Sequence, residues 1–357
     1  MGGKTEKEIQ ERLMSVLEKV APGTELREAF NRILQVGSGA LVVAGDLQEL
    51  KGIMSGGFRI ACDFTAPRLF ELAKMDGAVI LSKNLKTIYH ANVHLVPDPT
   101  IITHEAGMRH RTAERVARQM GDKAFVVAIS EKMKSVSVYL GDDHFTLESI
   151  PLALAKADQA LQTLGRYRAR LDEKYGVLDV LEVEDMVTLK DVVEVLQRNE
   201  RVGRIADDIR FRVSELGVDG RLVSLQLNEL MAGVENQEKL LVKDYDIRGS
   251  RKSSEKVIDN LGALSNKELM SDASVARVLG HRGSSELLNK LVRPRGFRIL
   301  STIPRMPASV VEKVVARFDN LRNIMMASTA LLDEVDGVGQ RRAIAIKEGL
   351  DRISESG

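Results

Sequence analysis

The stretch Met75-Asp76-Gly77-Ala78-Val79-Ile80-Leu81 places an acidic residue and a glycine directly before an apolar run. A short apolar run bounded by turn residues predicts a buried strand. Asp76 would then lie at the start of this strand, beside a glycine that lets a ligand approach the backbone closely. The simpler alternative is that Asp76 only belongs to a turn before the strand.

A second stretch, Gly107-Met108-Arg109-His110-Arg111-Thr112-Ala113-Glu114-Arg115, gathers cations and a hydroxyl at the start of a predicted helix. Guanidinium groups bind phosphate oxygens through paired hydrogen bonds, and a helix N-terminus adds free N–H groups. One carboxylate for a metal ion and a cluster of phosphate-binding groups are what phosphoryl or nucleotidyl transfer requires. The alternative is a solvated basic helix start without a ligand.

Short apolar runs alternate with helical segments through the first part of the chain, which indicates an α/β domain over residues 1–148. We expect a central mixed sheet flanked by helices. The predicted strands are Ala40–Ala44, Phe58–Cys62, Ala78–Leu81, Thr87–Leu95, Ala124–Ile129 and Ser135–Leu140. The predicted helices are 7–20, Leu26–Leu34, Leu69–Ala73 and Arg111–Met120. The segment Pro97–Gly107 predicts a loop that brings the basic cluster to the ends of the strands, where open α/β sheets usually bind ligands.

Residues 149–290 carry helical apolar spacing, dense charge and no strand pattern, and we interpret them as a helical spine. Helices are predicted at 152–175, 189–216 and 221–243, with a turn at Gly217–Gly220. Two polar segments, 249–256 and 280–286, are predicted loops around a short helix near Val257–Leu264. Nothing in this region resembles a catalytic constellation.

The sequence Leu332–Ala343 ends a predicted helix, forms an apolar-Gly-apolar-Gly hairpin and starts another helix. This pattern resembles the helix-hairpin-helix module, whose hairpin N–H groups point at a DNA phosphate. Ile303–Pro307 occupies the matching place of a first, degenerate hairpin, so we expect a tandem DNA-binding module over residues 291–357. Residues 292–357 hold eleven lysines and arginines against eight aspartates and glutamates, an excess that suits DNA binding. The predicted DNA-binding residues are Arg305, Gly337, Gly339, Arg341 and Arg342.

Together, Asp76-Gly77-Ala78 and Arg109-His110-Arg111 resemble the two signature motifs of the diadenylate cyclase domain. That family joins two ATP molecules into cyclic di-AMP. With its helical middle and its C-terminal hairpins, the whole chain resembles the family members that form octamers and meet branched, Holliday-junction-like DNA. The resemblance implies ATP as substrate, Mg²⁺ or Mn²⁺ as cofactor, and a homo-octamer with facing cyclase domains joined to the DNA-binding ends by the spine.

The resemblance also implies roles for individual residues. Asp76 matches the acidic residue that serves the metal ion and the attacking 3′-hydroxyl, and Arg109 and Arg111 join it as catalytic residues. The matching ATP-binding positions are Gly77, Leu95, Met108, Arg109, His110, Arg111, Thr112 and Ser130. We interpret His110 as a hydrogen-bonding partner of the ligand rather than as a general base. Ala106 departs from the family, which usually has Thr or Ser there, and this puts a peripheral hydrogen bond in doubt.

The composition and motifs of the chain indicate its cellular compartment and exclude a phosphate loop and a zinc-binding helix. Cys62 is the only cysteine, so no intramolecular disulfide can form. No apolar run is long enough to span a bilayer, and the first residues lack the apolar core of a signal peptide. We therefore expect a cytoplasmic, nucleoid-associated protein without a membrane partner. No phosphate loop of the Gly-x4-Gly-Lys-Ser/Thr kind occurs, and His104-Glu105 is no zinc helix because Met108 replaces the second histidine.

The sequence thus predicts a diadenylate cyclase that condenses two ATP into cyclic di-AMP and two pyrophosphates, coupled to branched DNA in DNA-damage repair. Each 3′-hydroxyl would attack the α-phosphate of the other ATP, so two domains must face each other in an isologous contact. The main alternative is a non-enzymatic DNA-junction binder whose α/β domain senses a nucleotide. A nuclease or glycosylase would need paired carboxylates or a catalytic lysine near residues 300–350, and no such constellation is evident.

Overall fold

The computed structural model describes residues 6–247, 251–281 and 285–355. The chain divides into two compact units. The first contains Met1–Gln159 and Ile209–Leu225, and the second contains Ala160–Asp208 and Gln226–Gly357. Part of the predicted spine therefore belongs to the N-terminal unit, where Phe211 packs against the core.

Within the described residues, an eight-stranded mixed sheet forms the centre of the first unit. Its strands are β1 (Ala40–Gly45), β2 (Met54–Ser55), β3 (Phe58–Asp63), β4 (Ala78–Ser82), β5 (Thr87–Leu95), β6 (Ala124–Ser130), β7 (Ser135–Leu140) and β8 (Asp143–Leu147). The strand order is β2-β5-β4-β1-β6-β7-β8, and β3 pairs with β5. In the described sheet, β1 and β4 are parallel and the other pairs are antiparallel. The mixed sheet and all six predicted strands are confirmed.

Strands β2 and β8 were not predicted. Strand β2 has only two residues. Strand β8 has the sequence Asp-His-Phe-Thr-Leu, in which only Leu147 is buried. An edge strand of this kind has no apolar run to reveal it, because a single neighbour and one covered face are enough to hold it.

Helices cover both faces of the sheet. They are α1 (Glu6–Val20), α2 (Glu25–Gln35), α3 (Leu47–Leu50), α4 (Ala66–Leu72) and α5 (Met108–Met120). Successive residues of β1 point to opposite faces. Val42 joins the core formed with α1, α2 and α4, whereas Val43 joins the core formed with α5. Ala113, Val116 and Ala117 bury one side of α5 on the sheet, which fixes the position of the N-terminus of α5.

The chain continues as a series of helices. They are α6 (Ile150–Val183), α7 (Leu189–Leu216), α8 (Arg221–Met231), α9 (Val234–Tyr245), α10 (Arg251–Gly262), α11 (Asn266–Leu269) and α12 (Asp272–Val278). The helices predicted at 152–175 and 189–216 are confirmed, and α6 continues to Val183. The single helix predicted over 221–243 is wrong, because Gly233, with a φ of 78°, separates α8 from α9. Glycine adopts this left-handed conformation without the steric cost of a side chain.

The predicted loop over 249–256 is wrong from Arg251 onward, where α10 begins. Ser254 is buried, so this serine does not mark an exposed loop. In the second predicted loop, 280–286, a 3₁₀ helix begins at Ser285. The remaining parts of these two predictions at 249–250 and 282–284 lie outside the described residues.

The C-terminal helices enclose a core of their own, which extends from Ile299 to Leu350. They are α13 (Phe297–Thr302), α14 (Ala308–Phe318), α15 (Leu321–Met326), α16 (Thr329–Asp333) and α17 (Gly339–Glu355). The predicted fold class, a mixed α/β sheet domain followed by helical regions, is confirmed. None of the described helices combines the length and hydropathy needed to cross a membrane.

Candidate active site and nucleic-acid interface

Several predicted nucleotide-binding residues meet at one edge of the sheet. Asp76 and Gly77 precede β4, which is parallel to β1 and starts at the same edge. Ser130 ends β6, which is antiparallel to β1 and therefore ends where β1 starts. Leu95 ends β5, which is antiparallel to β4 and ends beside its start. We call this edge the site edge.

The site edge is the amino end of the parallel pair β1 and β4. Open parallel sheets bind ligands beyond the carboxyl ends of their strands, so these candidate residues lie at the opposite end of β1 and β4 from the one that this rule describes. The physical reason is the mixed topology. Because β5 and β6 are antiparallel to their neighbours, their carboxyl ends bring polar residues to the amino ends of β1 and β4.

Asp76 is exposed, and its carboxylate has no hydrogen bond or ion pair with any residue that the structure describes. Its backbone carbonyl accepts a hydrogen bond from Asn92 Nδ2 at 2.8 Å. Gly77 has a φ of 84°, and a Cβ there would lie 2.8 Å from the Val93 carbonyl oxygen. The glycine therefore lets this turn lie against β5. This packing holds Asp76 at the site edge, where its carboxylate is exposed to solvent.

The basic cluster occupies the first turn of α5. No side chain caps this helix at Gly107, so the first N–H groups of α5 remain available to an anion. Arg109 and Arg111 are exposed and form no ion pair within the described residues. Met108 is 86% exposed, and Thr112 is half-buried one turn further along.

Arg109 extends across the start of β1. A Cβ on Gly39 would collide with the Arg109 guanidinium and would lie 3.0 Å from the Ile129 carbonyl oxygen. Gly39 therefore makes room for Arg109 at the site edge. In the sequence, Gly39 reads only as part of a turn before β1, because Arg109 is far away along the chain.

Two other predicted residues have more limited access to a ligand. Leu95 is 6% exposed and belongs to the core under α5, so little of its side chain is available to a nucleotide. The Ser130 hydroxyl oxygen accepts a hydrogen bond from the Met133 N–H at 3.2 Å. Its O–H remains able to donate.

His110 belongs to a hydrogen-bonded chain that the sequence did not reveal. Its Nδ1 lies 2.8 Å from the Tyr139 hydroxyl, which donates to Glu105 Oε1 at 2.9 Å. The other ring nitrogen, Nε2, is buried and has no partner in the part of the chain that the structure describes.

The loop at 96–107 lies along α5 and is held by the side chains of this helix. Glu114 accepts hydrogen bonds from the Thr103 hydroxyl and the His104 N–H, and it pairs with Arg118 at 2.8 Å. Burial alone would raise the pKa of Glu114, but these hydrogen bonds and the Arg118 charge lower it below its usual value. Glu114 is therefore an ionised anchor that ties the loop to the helix.

Asp76 fits a divalent cation as a single carboxylate. Mg²⁺ is usually held by one or two carboxylates together with substrate phosphates rather than by a cage of protein ligands. The described side chains contain no group of three or more His, Cys, Asp or Glu that could hold a metal ion by themselves.

Two cavities lie away from the site edge. One of about 440 Å³ is lined by residues that include Tyr245, His281 and Lys290. The other, of about 250 Å³, is lined by residues that include Arg12 and Lys83. The site edge itself is an exposed surface.

The two segments predicted to contain the hairpins, Ile303–Pro307 and Leu332–Ala343, lie in the second unit. Gly337 and Gly339 have φ values of 87° and 60°, which glycine adopts readily. Arg305 occupies the matching position of the first hairpin and has a φ of 62°. The same hydrogen bond precedes each turn: the Val335 N–H donates to the Leu332 carbonyl, and the Ile303 N–H donates to the Leu300 carbonyl, both at 3.2 Å. The backbone is thus left-handed at the first position of both hairpins, even where the sequence replaces glycine by arginine. The hairpins differ at the second position, where Pro307 has a φ of −63°.

The predicted DNA-binding arginines differ in their surroundings. Arg305 and Arg341 are exposed. Arg342 donates from Nη1 to the Gly337 carbonyl, so it braces the second hairpin as well as adding positive charge beside it. The first turn of α17 follows directly and has N–H groups without partners in the helix.

The comparisons with known proteins cover nearly the whole chain. Residues 27–144 match the family model described as DisA bacterial checkpoint controller nucleotide-binding, and residues 147–288 match the DisA bacterial checkpoint controller linker region. The chain is 47% identical to the DNA integrity scanning protein DisA of Parafrankia sp. (strain EAN1pec), over 96% of this chain and 95% of that protein. It is 47% identical to the protein of the same name from Kineococcus radiotolerans, over 100% and 98%. Identity to that of Carboxydothermus hydrogenoformans is 46%, over 97% of each chain.

The α/β unit, with its exposed acidic turn and basic helix start, is a nucleotidyltransferase domain of the diadenylate cyclase class. The resemblance inferred from the two motifs is thereby confirmed. The chain belongs to the family of the DNA integrity scanning protein DisA.

Proposed function

We propose that the site edge binds one ATP and that two facing copies condense two ATP into cyclic di-AMP and two pyrophosphates. The observation that supports this most is the convergence of Asp76, the N-terminus of α5 and the Arg109 guanidinium on one exposed edge, with the exposed Arg111 in the same helical turn. In the reaction, the 3′-hydroxyl of each ATP attacks the α-phosphate of the other, and pyrophosphate leaves. The Asp76 carboxylate accepts the hydroxyl proton and passes it to solvent.

The side chains of this site divide the work. Arg109, Arg111 and the N–H groups of α5 stabilise negative charge as it develops on the phosphates. Gly77 allows the nucleotide to approach the backbone closely. Met108, Thr112 and Ser130 would contact the bound nucleotide. A divalent ion, Mg²⁺ or Mn²⁺, would be held by Asp76 and the ATP phosphates and would supply further charge neutralisation.

An exposed site needs a second copy to close it. Phe58 and Met108 are 61% and 86% exposed, and Val96 just beyond β5 is 54% exposed. These large apolar side chains near the site edge support a facing contact between two cyclase domains, which would also exclude water from the reaction. We propose a homo-octamer in which residues 1–148 face each other and 149–290 form the spine.

The direct test incubates the protein with ATP and either Mg²⁺ or Mn²⁺ and identifies the product by mass. Cyclic di-AMP and pyrophosphate in a ratio of one to two are expected. A protein that binds ATP but releases no cyclic dinucleotide would instead support the nucleotide-sensing alternative.

Replacing Arg109 or Arg111 by alanine should each lower the rate of cyclic di-AMP synthesis by about 10²–10³-fold, because each change removes a positioned charge donor. Arg32→Ala is the matched control, since Arg32 is half-buried on α2 and, among the residues that the structure describes, pairs along its own helix with Glu28 at 2.5 Å. Initial rates at saturating ATP measure the effect. Normal turnover in both site variants would show that the basic cluster is a solvated helix start without a role in catalysis.

We also propose that residues 291–357 bind branched DNA through the two hairpins. The left-handed turns at Gly337 and Arg305 are of the kind that would present backbone N–H groups to a phosphate, and the exposed Arg341 adds charge beside the second turn. Such contacts go to phosphates and carry no base information, so binding should be indifferent to sequence and sensitive to salt. In the cell this would associate the protein with the nucleoid.

The double replacement Gly337→Ala and Gly339→Ala should weaken binding to a four-way junction by at least about tenfold, because alanine at these positive φ values costs about 1–2 kcal/mol per residue. A Cβ on Gly337 would also approach Val310 Cγ2 to 3.3 Å. Gly176→Ala in α6 is the control, since a Cβ there meets nothing within 4 Å. Fluorescence anisotropy with labelled junction DNA measures the affinity.

The same variant separates DNA sensing from chemistry. ATP turnover without DNA should remain near that of the wild type, whereas any effect of the junction on turnover should vanish. We expect junction DNA to lower turnover of the wild type, because a bound branch restrains the spine that sets the facing geometry. An equal response of the double variant to the junction would show that the hairpin is not the sensor.

A further inference from the structure

The hydrogen-bonded chain Glu105–Tyr139–His110 connects a loop, a strand and the first turn of α5. Tyr139 lies in β7 and is 1% exposed. Its ring is stacked on His144 of β8, with centroids 5.7 Å apart and planes inclined by 17°. The position of the Tyr139 ring is therefore determined by its packing in the sheet and does not depend on a bound ligand.

Each partner of the Tyr139 hydroxyl has a defined role. The hydroxyl donates to Glu105 Oε1 at 2.9 Å, so it faces His110 Nδ1 at 2.8 Å with its oxygen lone pairs. Burial, with the Glu105 carboxylate adding to it, raises the pKa of Tyr139 well above its usual value. The hydroxyl thus stays protonated and can serve both neighbours at once.

Glu105 is held by the same loop that α5 anchors. Its backbone N–H donates to the Thr103 hydroxyl oxygen at 3.2 Å, and the Thr103 hydroxyl donates to Glu114 on α5. The carboxylate end of the chain is therefore fixed to the helix whose first turn carries His110.

One ring nitrogen of His110 has no hydrogen-bond partner among the described residues. With Nδ1 engaged by Tyr139, Nε2 is buried without a partner among the described residues. A buried polar atom without a hydrogen bond costs about 1–3 kcal/mol, so such an atom in a site calls for a ligand group. Arg109 and Arg111 precede and follow His110 in the first turn of α5, so we assign this group to the ligand that the arginines bind.

We propose that Tyr139 and Glu105 are positioning residues, which hold the His110 ring so that Nε2 meets a polar group of the bound nucleotide. This role rests on the proposed cyclase function. Tyr139 does not touch the substrate, and its contribution passes entirely through His110.

A double-mutant cycle tests this dependence. Tyr139→Phe removes the hydroxyl and keeps the ring stacked on His144, and it should lower kcat/KM for ATP by about tenfold. In a His110→Ala background the same replacement should have no further effect. Tyr89→Phe is the matched control, because Tyr89 is a half-buried tyrosine of β5 in the same unit. An equal loss in both backgrounds, or no loss in the wild-type background, would overturn the proposal.

A second measurement does not depend on turnover. The chain has six histidines, so selective ¹⁵N-histidine labelling of the full-length protein gives a spectrum in which His110→Ala identifies the His110 signals. The Nδ1 resonance of His110 should shift in Tyr139→Phe and in Glu105→Gln, and it should be unchanged in Tyr89→Phe. An unchanged resonance in Tyr139→Phe would refute the network. If the resonance shifts in Tyr139→Phe but the wild type makes no cyclic di-AMP, the proposed function is refuted and the hydrogen-bonded network is retained.

Discussion

Replacing Asp76 by asparagine should lower cyclic di-AMP synthesis by at least about a thousandfold, because removal of a central catalytic group commonly costs that much or more. Asp76 presents a free carboxylate at the site edge, and asparagine keeps its shape while removing the charge. In the proposed mechanism, the variant would therefore lose both the cation-binding oxygen and the negative charge beside the attacking hydroxyl. Its backbone hydrogen bond from Asn92 remains, so the turn should keep its conformation.

The experiment compares initial rates, ATP binding and junction binding for the wild type, Asp76→Asn and Asp63→Asn. Asp63 is an exposed carboxylate at the end of β3, paired with Thr87 at the start of β5 and therefore at the opposite edge. The control should be as active as the wild type, and both variants should bind the junction normally. Activity of Asp76→Asn above about a tenth of the wild-type level would remove Asp76 from the catalytic role.

Replacing Arg298 by methionine should lower the free energy of unfolding of the second unit by about 3–5 kcal/mol, which is the usual cost of removing one partner of a buried ion pair. Arg298 is 2% exposed at the start of α13. Its guanidinium pairs with Asp179, and with Glu182 Oε2 at 2.6 Å, both on α6. Methionine fills similar volume, so the loss reports the acidic side chains left without Arg298 rather than a cavity.

The neighbours of Arg298 make the loss depend on pH. Burial raises the pKa of Glu182 to about 8, against the opposing charge of Arg298. Without the arginine this pKa rises further. Above pH 8 the unfolded chain has released the Glu182 proton while the folded variant retains it, so the stability of the variant continues to fall where that of the wild type levels off. The difference between them should therefore grow from pH 7 to pH 9.

Hydrogen exchange in increasing urea measures this, because it reports the stability of each unit separately. Arg293→Met is the matched control. Arg293 is more than half exposed and pairs with Asp185 at 3.1 Å, and an exposed pair of this kind contributes only about 0–1 kcal/mol. Equal losses in the two variants, or a difference that does not change with pH, would contradict the role assigned to Arg298.

Local patterns were enough to predict many elements around the candidate site. The strand from Thr87 to Leu95 has the predicted bounds, because its apolar run is bounded by turns on both sides. The helix that carries the basic cluster was predicted from its apolar spacing, and the structure starts it three residues earlier, at Met108. Strand β8 was missed because its alternating polar residues lack such a run.

The sequence alone determined which residues carry charge, where the chain turns and which segments are amphipathic, since these depend on neighbours within a few positions. It placed Asp76 before a strand and Arg109 at a helix start. Only the tertiary structure decided that both lie at the amino ends of β1 and β4, because strand direction and register depend on pairing between distant segments. The fit of Arg109 over Gly39 and the contact of His110 with Tyr139 join residues far apart in the chain, and no local periodicity records such contacts.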